Sequence, residues 1–275
     1  VRAMRIHRYG GPDVIQDDDV PLPVPAVGEV LVEVAATSFN PSDLGVRRGL
    51  FPIDLPFTLC GDVAGTVGGT PVIGRVVAAG ADFVTVPASD LVPAPATIPL
   101  AHAAAIPIAG LTAWQAVFDH ARITAGMRVL INGAGGGVGG FAVQLAKHAG
   151  AHVTATASPR SAAAVRAHGA DEIVDYTTAP LPAGTFEAVL NLVHVEPSGA
   201  EALVALGGTL VSVTVPIGIH FVARNDVRQL SGLVALIDAG VVKVDIAAVR
   251  SLTGLADVHR DAEAGLLRGK TILTT

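Results

Sequence analysis

Residues Arg128–Gly150 read RVLINGAGGGVGGFAVQLAKHAG. Six of the eight positions from Gly133 to Gly140 are glycine. Only proline disfavours a helix more than glycine does, yet an apolar helical stripe (Phe141, Val143, Leu145, Ala146) begins inside the run. Arg128–Asn132, ahead of it, is apolar and reads as a strand. Gly137–His148 reads as a helix and His152–Ala157 as the next strand. In that setting Gly135-Gly136-Gly137-Val138-Gly139-Gly140 satisfies G-x-G-x-x-G. A helix N-terminus presents unpaired N–H groups and a partial positive charge. Glycine lets a diphosphate approach the main chain where a Cβ would clash. Ala134, Gly135, Gly136, Gly137 and Val138 are therefore candidate dinucleotide-binding residues. The competing reading is a flexible turn before a tightly packed helix.

The end of the second strand selects the dinucleotide. NAD sites place Asp or Glu there to bind the ribose 2′-hydroxyl. Here the stretch is TATASPRSAAAVR, and no carboxylate occurs between Ala151 and Ala170. Ser158 offers a hydrogen bond and Arg160 a planar fork suited to phosphate. The expected cofactor is NADPH; the competing reading makes Arg160 a solvated residue at a helix start.

From about Leu111 onward, helical patterns alternate with short apolar strands. Ser161–His168, Ser198–Leu206, Asp226–Ala239 and Ala256–Leu267 read as helices. Ile173–Asp175, Ala188–Val193, Thr209–Thr214 and Thr271–Thr275 read as strands. Such alternation implies right-handed βαβ units and a parallel sheet covered on both faces. Asn191 and Val193, at a strand end, then face the crevice where ligands bind such sheets. The first hundred residues are instead β-rich, with Val30–Ala36, Val63–Val67, Val72–Ala78 and Phe83–Val86 as strands. Pro93–Pro107 is a proline-studded connector and a plausible domain boundary.

The formal charge is −6, charged residues make up 15%, and the longest basic block is Arg47-Arg48, which argues against a nucleic-acid partner. No charge-free apolar run is long enough for a membrane span, and no basic-then-apolar leader opens the sequence. The single cysteine, Cys60, excludes an intrachain disulfide and any multi-cysteine metal site. A cytoplasmic globular protein is expected.

INGAGGGVGGFAVQLAKHAGAHVTATAS and HGADEIVDY together resemble the medium-chain dehydrogenase/reductase superfamily, in particular its zinc-free quinone oxidoreductase branch. MRIHRYGGPDVIQ, TSFNPSDLGVRRGLF, DVAGTV, IPIAGLTAW and AGLLRGKTILTT sit in the family's order. The resemblance implies an α/β protein: a GroES-like β-rich catalytic domain (residues 1–104 and 241–275) and a Rossmann doubly wound parallel sheet (105–240). It implies substrate and nicotinamide meeting in a cleft, and a homodimer formed edge to edge. Thr112 resembles the family residue beside the nicotinamide ribose, and Tyr176 the tyrosine near the 2′-phosphate, a strand-end surface tyrosine being the alternative. Phe221 and Val222 are candidate walls of the nicotinamide pocket. The chain is shorter than most relatives: Val67–Gly74 lacks a longer β-loop, and Thr214–Phe221 also looks clipped.

Zinc-dependent relatives place Cys, His and Cys at a catalytic metal; the matching first two positions are Asn40 and Gly61, and nothing near Ala109–Gly110 supplies the third. No metal is expected. The resemblance makes Asn40 the first candidate for a polar contact near nicotinamide or substrate, with Asp43 orienting its loop; Asn40-Pro41-Ser42-Asp43 also reads as a helix-capping turn. Two positions that carry tyrosine in some relatives are Phe51 and Gly45 here. The expected reaction is zinc-independent hydride transfer from NADPH to a quinone or α,β-unsaturated carbonyl, protonated by water. The alternatives are an enoyl-thioester reductase and a non-catalytic NADPH-binding sensor or scaffold.

Overall fold

The computed structural model describes all 275 residues, the side chain of Pro197 excepted. Along the chain come strands β1 (Arg2–Ile6), β2 (Ile15–Asp19) and β3 (Glu29–Ser38), helix α1 (Pro41–Arg48), then β4 (Phe57–Thr58), β5 (Asp62–Val67), β6 (Thr70–Arg75), β7 (Phe83–Pro87) and β8 (Leu91–Pro93). Helices α2 (Leu100–Ala103) and α3 (Pro107–Trp114) follow, with a π-helical turn at Gln115–His120. The alternating region is β9 (Arg128–Asn132), α4 (Gly137–His148), β10 (His152–Ala157), α5 (Pro159–Ala167), β11 (Glu172–Asp175), β12 (Phe186–Asn191), α6 (Pro197–Glu201), β13 (Val204–Ser212) and β14 (Ile219–His220). Helix α7 (Val227–Asp238), β15 (Ile246–Ser251), α8 (Leu255–Glu263) and β16 (Lys270–Thr274) complete it.

The chain divides into two compact units. The first comprises Val1–Ile108, Asn225–Asp238 and Ile246–Thr275, and the second Ala109–Arg224 and Ala239–Asp245. The sequence reading ended the first segment at residue 104 and gave residues 225–238 to the Rossmann domain. In the structure α7 groups with the first unit instead. Its Leu230, Leu233 and Ile237 are buried. Its last residue, Asp238, accepts hydrogen bonds from the Ala96 and Thr97 amides at 2.9 and 3.0 Å.

In the first unit a seven-stranded sheet runs β15-β16-β3-β5-β6-β8, with β7 also paired to β3. A smaller sheet has the order β2-β1-β4. The core is rich in β-branched residues (Ile6, Val32, Val34, Val63, Val86) capped by Leu252, Leu255 and Val258 around α8. The short Val67–Gly74 stretch is a tight hairpin: Val67 pairs with Thr70 across Gly68-Gly69, which have φ of +55° and +85°. Two successive positive φ values define the turn that matches strand twist, and glycine adopts them freely.

The second unit is a six-stranded sheet of order β11-β10-β9-β12-β13-β14, every pairing parallel. Taken from β9, that is the 3-2-1-4-5-6 order of a doubly wound Rossmann sheet. The expected helix over Ser198–Leu206 is a correction. Only Pro197–Glu201 is helical, and β13 already starts at Val204. Gly208 explains why: a Cβ there would lie 2.8 Å from the Glu187 carbonyl oxygen. Its absence lets β13 close on β12. Among the described residues no helix is long and apolar enough to cross a membrane.

Gly139 lets α4 approach the loop after β9. A Cβ on it would collide with the Gly133 carbonyl oxygen and sit 2.6 Å from Ala134 Cα, both rigid backbone. Gly139→Ala is therefore expected to lower the thermal midpoint by several degrees, whereas Gly199→Ala, with open space around it, leaves it within about two degrees. Equal midpoints in a thermal melt would contradict this packing.

Candidate functional site

The glycine run builds an anion cradle on the second unit. Helix α4 begins at the C-terminal end of β9, which is central in the parallel sheet. Its N-cap, Gly136, has extended backbone and no side-chain cap. The first-turn N–H groups of α4 are thus left for a ligand. A Cβ on Gly136 would meet only the Gly133 carbonyl oxygen, at 3.6 Å. Each neighbouring glycine packs differently. Gly133 has φ +98°. A Cβ on Gly135 would lie 2.7 Å from Ser161 Cβ of α5. Gly139 is the helix-packing position described above. The working register is therefore Ala134-x-Gly136-x-x-Gly139, one residue earlier than the Gly135-x-Gly137-x-x-Gly140 read from sequence. The cradle, with its exposed glycine and unpaired amides, fits a diphosphate.

Other predicted residues scatter around it. Ser158 N-caps α5 at the end of β10, without a side-chain cap bond. Arg160 is exposed in the first turn of α5, and Tyr176 is exposed after β11. Thr112 is half-buried in α3. Phe221 stacks on His120, with ring centroids 4.2 Å apart, and Val222 is exposed. Asn191 departs from expectation. It is fully buried, and its Nδ2 donates to the Val193 carbonyl at 2.8 Å instead of facing open space. That carbonyl also accepts from Thr214 Oγ1 at 2.7 Å, so both its lone pairs are engaged.

The first unit holds a buried polar cluster at the end of β3. Asp62, at the start of β5, accepts hydrogen bonds from Ser38 Oγ and from Asn40 Nδ2, the latter at 2.7 Å. Its Oδ1 accepts from the Ile108 amide in the first turn of α3, also at 2.7 Å. Lys270, opening β16, donates to Asn40 Oδ1 at 2.9 Å and to the Phe39 carbonyl at 3.2 Å. Its ammonium is 3.6 Å from Asp62 Oδ2. Asp43 accepts the Asn40 amide at 2.8 Å, closing the first turn of α1. All of these side chains are buried.

This corrects the expectation that Asn40 offers its amide to substrate or nicotinamide. Both ends of that amide are committed to Asp62 and Lys270. Asp43 acts as the helix cap that the alternative reading foresaw. The sequence assigns no role to Asp62 or to Lys270, whose signal is a lone lysine before an apolar strand. Gly45 and Phe51 prove to be one feature: a Cβ on Gly45 would lie 2.6 Å from the Phe51 ring.

Burial sets the titration. It is the main cause raising Asp43 to about 7, helped by the Asp62 charge and opposed by the Asn40 amide and Lys270. Burial lowers Lys270, against the pull of Asp62 and Asp43. Burial also pushes the Cys60 thiol well up, which keeps it protonated and inert.

The comparisons agree with this architecture. Residues 26–86 match the alcohol dehydrogenase GroES-like domain, and residues 168–273 the family described as zinc-binding dehydrogenase. A chloroplast envelope quinone oxidoreductase homolog from Arabidopsis thaliana is 34% identical over 203 residues, 65% of this chain and 62% of its own. The chain thus spans 62% of that relative's length. A mitochondrial NAD(P)H oxidoreductase, RTN4IP1, from Danio rerio is 27% identical over 99% of this chain and 90% of its own. The solved quinone oxidoreductase from Coxiella burnetii superposes with a TM-score of 0.90 at 26% identity, covering 100% of this chain and 99% of that one. The chain belongs to the medium-chain dehydrogenase/reductase superfamily.

Two buried groups give opposite pH dependences. Asp43 rises from 3.8 to about 7 on folding, so its stabilising contribution is lost as pH climbs towards 7. His259 of α8 falls from 6.5 to about 4, chiefly through burial and then Arg47, so its contribution is lost as pH drops from 6.5 towards 4. Asp43→Asn is expected to make the thermal midpoint climb more steeply than wild type between pH 4.5 and 6.5. His259→Gln, which keeps an acceptor for Arg47 Nε, is expected to flatten or reverse the climb. Parallel melting curves for all three proteins would contradict the assignment.

Proposed function

We propose that this protein is a zinc-independent, NADPH-dependent oxidoreductase that reduces a quinone or an α,β-unsaturated carbonyl. One observation carries the reading: the uncapped N-terminus of α4, with open space beside Gly136, at the carboxyl end of a central parallel strand. The quinone oxidoreductase and NAD(P)H oxidoreductase relatives support it.

In this reading the amides of Gly137 and Val138 bind the diphosphate beside the bare Cα of Gly136, whose own amide donates to the Gly133 carbonyl at 3.2 Å, and Ala134 and Gly135 flank it. Ser158 and Arg160 hold the 2′-phosphate, with Tyr176 beside them. Thr112, Val193, Phe221 and Val222 border the nicotinamide end. Bound NADPH supplies a hydride, two electrons with one proton, and one further proton completes the reduced acceptor. No phenol of this chain is set to deliver that proton. Phe51 has no hydroxyl, and Tyr9 Oη is held by the Ile53 carbonyl and amide at 3.0 and 3.2 Å. Water is the proton source. Phe51, half exposed over Gly45, offers a flat apolar face suited to a ring or enone.

Zinc independence follows from the donor set. Zinc needs thiolate, imidazole or carboxylate ligands in a tetrahedron. Asn40 occupies the expected first position, Cys60 is held as a thiol, and Asp62 is committed to Ser38, Asn40 and Ile108. Asn40 and Asp43 are then positioning residues for the loop after β3. A homodimer goes with the reading, and β14 supplies a sheet edge for it.

Fluorescence titration is expected to give tighter binding of NADPH than of NADH, with Arg160→Ala cutting the preference about tenfold, the worth of one charge-assisted contact. Gly136→Val is expected to abolish binding of both without lowering the thermal midpoint by more than a few degrees. NADPH oxidation is expected with benzoquinones and enones and to be slow with crotonyl-CoA. Tighter NADH binding would contradict the 2′-phosphate assignment. Rapid crotonyl-CoA turnover would favour the enoyl-thioester reductase, and binding without turnover on any acceptor the sensor.

A further inference from the structure

The sheet of the second unit hides a line of polar side chains that the cofactor reading leaves unexplained. Asn132, Asn191 and Ser212 end β9, β12 and β13, and Thr156 lies one residue from the end of β10. Asn191 stands in register with Asn132 on one side and Ser212 on the other. All four side chains are buried. Polar groups inside a covered parallel sheet are costly unless fully bonded.

They are bonded in one direction. The Gly133 amide donates to Thr156 Oγ1 at 2.8 Å. Thr156 Oγ1 donates onward to Asn132 Oδ1 at 3.0 Å. Asn132 Nδ2 donates to Asn191 Oδ1 at 2.9 Å, and Asn191 Nδ2 to the Val193 carbonyl at 2.8 Å. Because the Val193 carbonyl can only accept, Asn191 must turn its Nδ2 towards it and its Oδ1 towards Asn132. That fixes the flip of one amide, which fixes the other. The two ends of the relay are main-chain groups of the two loops bordering the cradle. These loops also touch, since a Cβ on Gly133 would lie 2.6 Å from Val193 Cγ1.

We propose that the relay Thr156–Asn132–Asn191 is a positioning device that holds the loop after β9 and the loop after β12 in the geometry that receives the diphosphate bridge of a dinucleotide. The inference rests on the cofactor reading above and deepens it. The relay residues touch no ligand; they preset the amides that do. Preorganised donors bind without the cost of ordering them.

The test compares Thr156→Val, which keeps the shape and removes the hydroxyl, with Thr156→Ser, which restores it. Asn191→Ala breaks the relay at its far end and serves if the valine variant does not fold. The probes are NADPH and 2′,5′-ADP, which carries the adenosine phosphates without a diphosphate bridge. The folded valine and alanine variants are expected to bind NADPH about tenfold more weakly and 2′,5′-ADP within about twofold of wild type, with the serine variant near wild type for both. A lower thermal midpoint with NADPH affinity unchanged would overturn the proposal, leaving the relay purely structural. Equal weakening of both probes would overturn it as well. Wild type that binds no NADPH would defeat the cofactor reading, and the relay's role with it.

Discussion

Contact between a helix and a carbonyl group governs the second unit. Gly139 carries hydrogen where any other residue carries carbon, so α4 settles against the Gly133 carbonyl oxygen. That approach places the helix N-terminus at the end of β9. It also turns Gly136 outward, where its bare Cα leaves room for an anion. The field of the helix and the free first-turn amides then act on the same small volume. Nothing in this arrangement needs a charged side chain, and Ser158 and Arg160 lie further out, at the next helix start.

The two units stabilise their loops by different means. The first buries charge: Lys270 and Asp62 lie inside the unit, 3.6 Å apart, and hold Asn40 between them. Buried ions are expensive, and such a cluster endures only when the remaining donors and acceptors are bonded. Here the Phe39 carbonyl, Ser38 hydroxyl and Ile108 amide complete it. The second unit uses neutral groups, a hydroxyl and two amides whose orientations determine one another. Removing one member of the charged cluster leaves an uncompensated ion. Removing one member of the neutral relay leaves a single unmet hydrogen bond.

Much of the Rossmann half was legible because its signals are local. Arg128–Asn132, Gly137–His148 and His152–Ala157 each follow from a run of side chains with one period, and the structure has those bounds. The glycine register was not legible: the all-glycine pattern fits only the frame Gly135-x-Gly137-x-x-Gly140, the working frame opens on Ala134, and only what a Cβ would strike separates Gly136 from Gly139. Val204–Leu206 reads as helix until Gly208 is seen pressed against β12. Strand β15 was missed because its support is distant, a parallel partner in β16. The pairing of Asp62 with Lys270 joins residues far apart in sequence, and no local spacing announces it. Asn191 was noticed for its place at a strand end, but its side chain turns inward to Val193.

The central claim is that a dinucleotide lies on the bare amides at the start of α4. Backbone amide NMR during an NADPH titration tests it most directly. The account predicts the largest shifts at the N–H groups of Gly137 and Val138, saturating together with those near Ser158. Saturable binding that leaves these amides unmoved would contradict it.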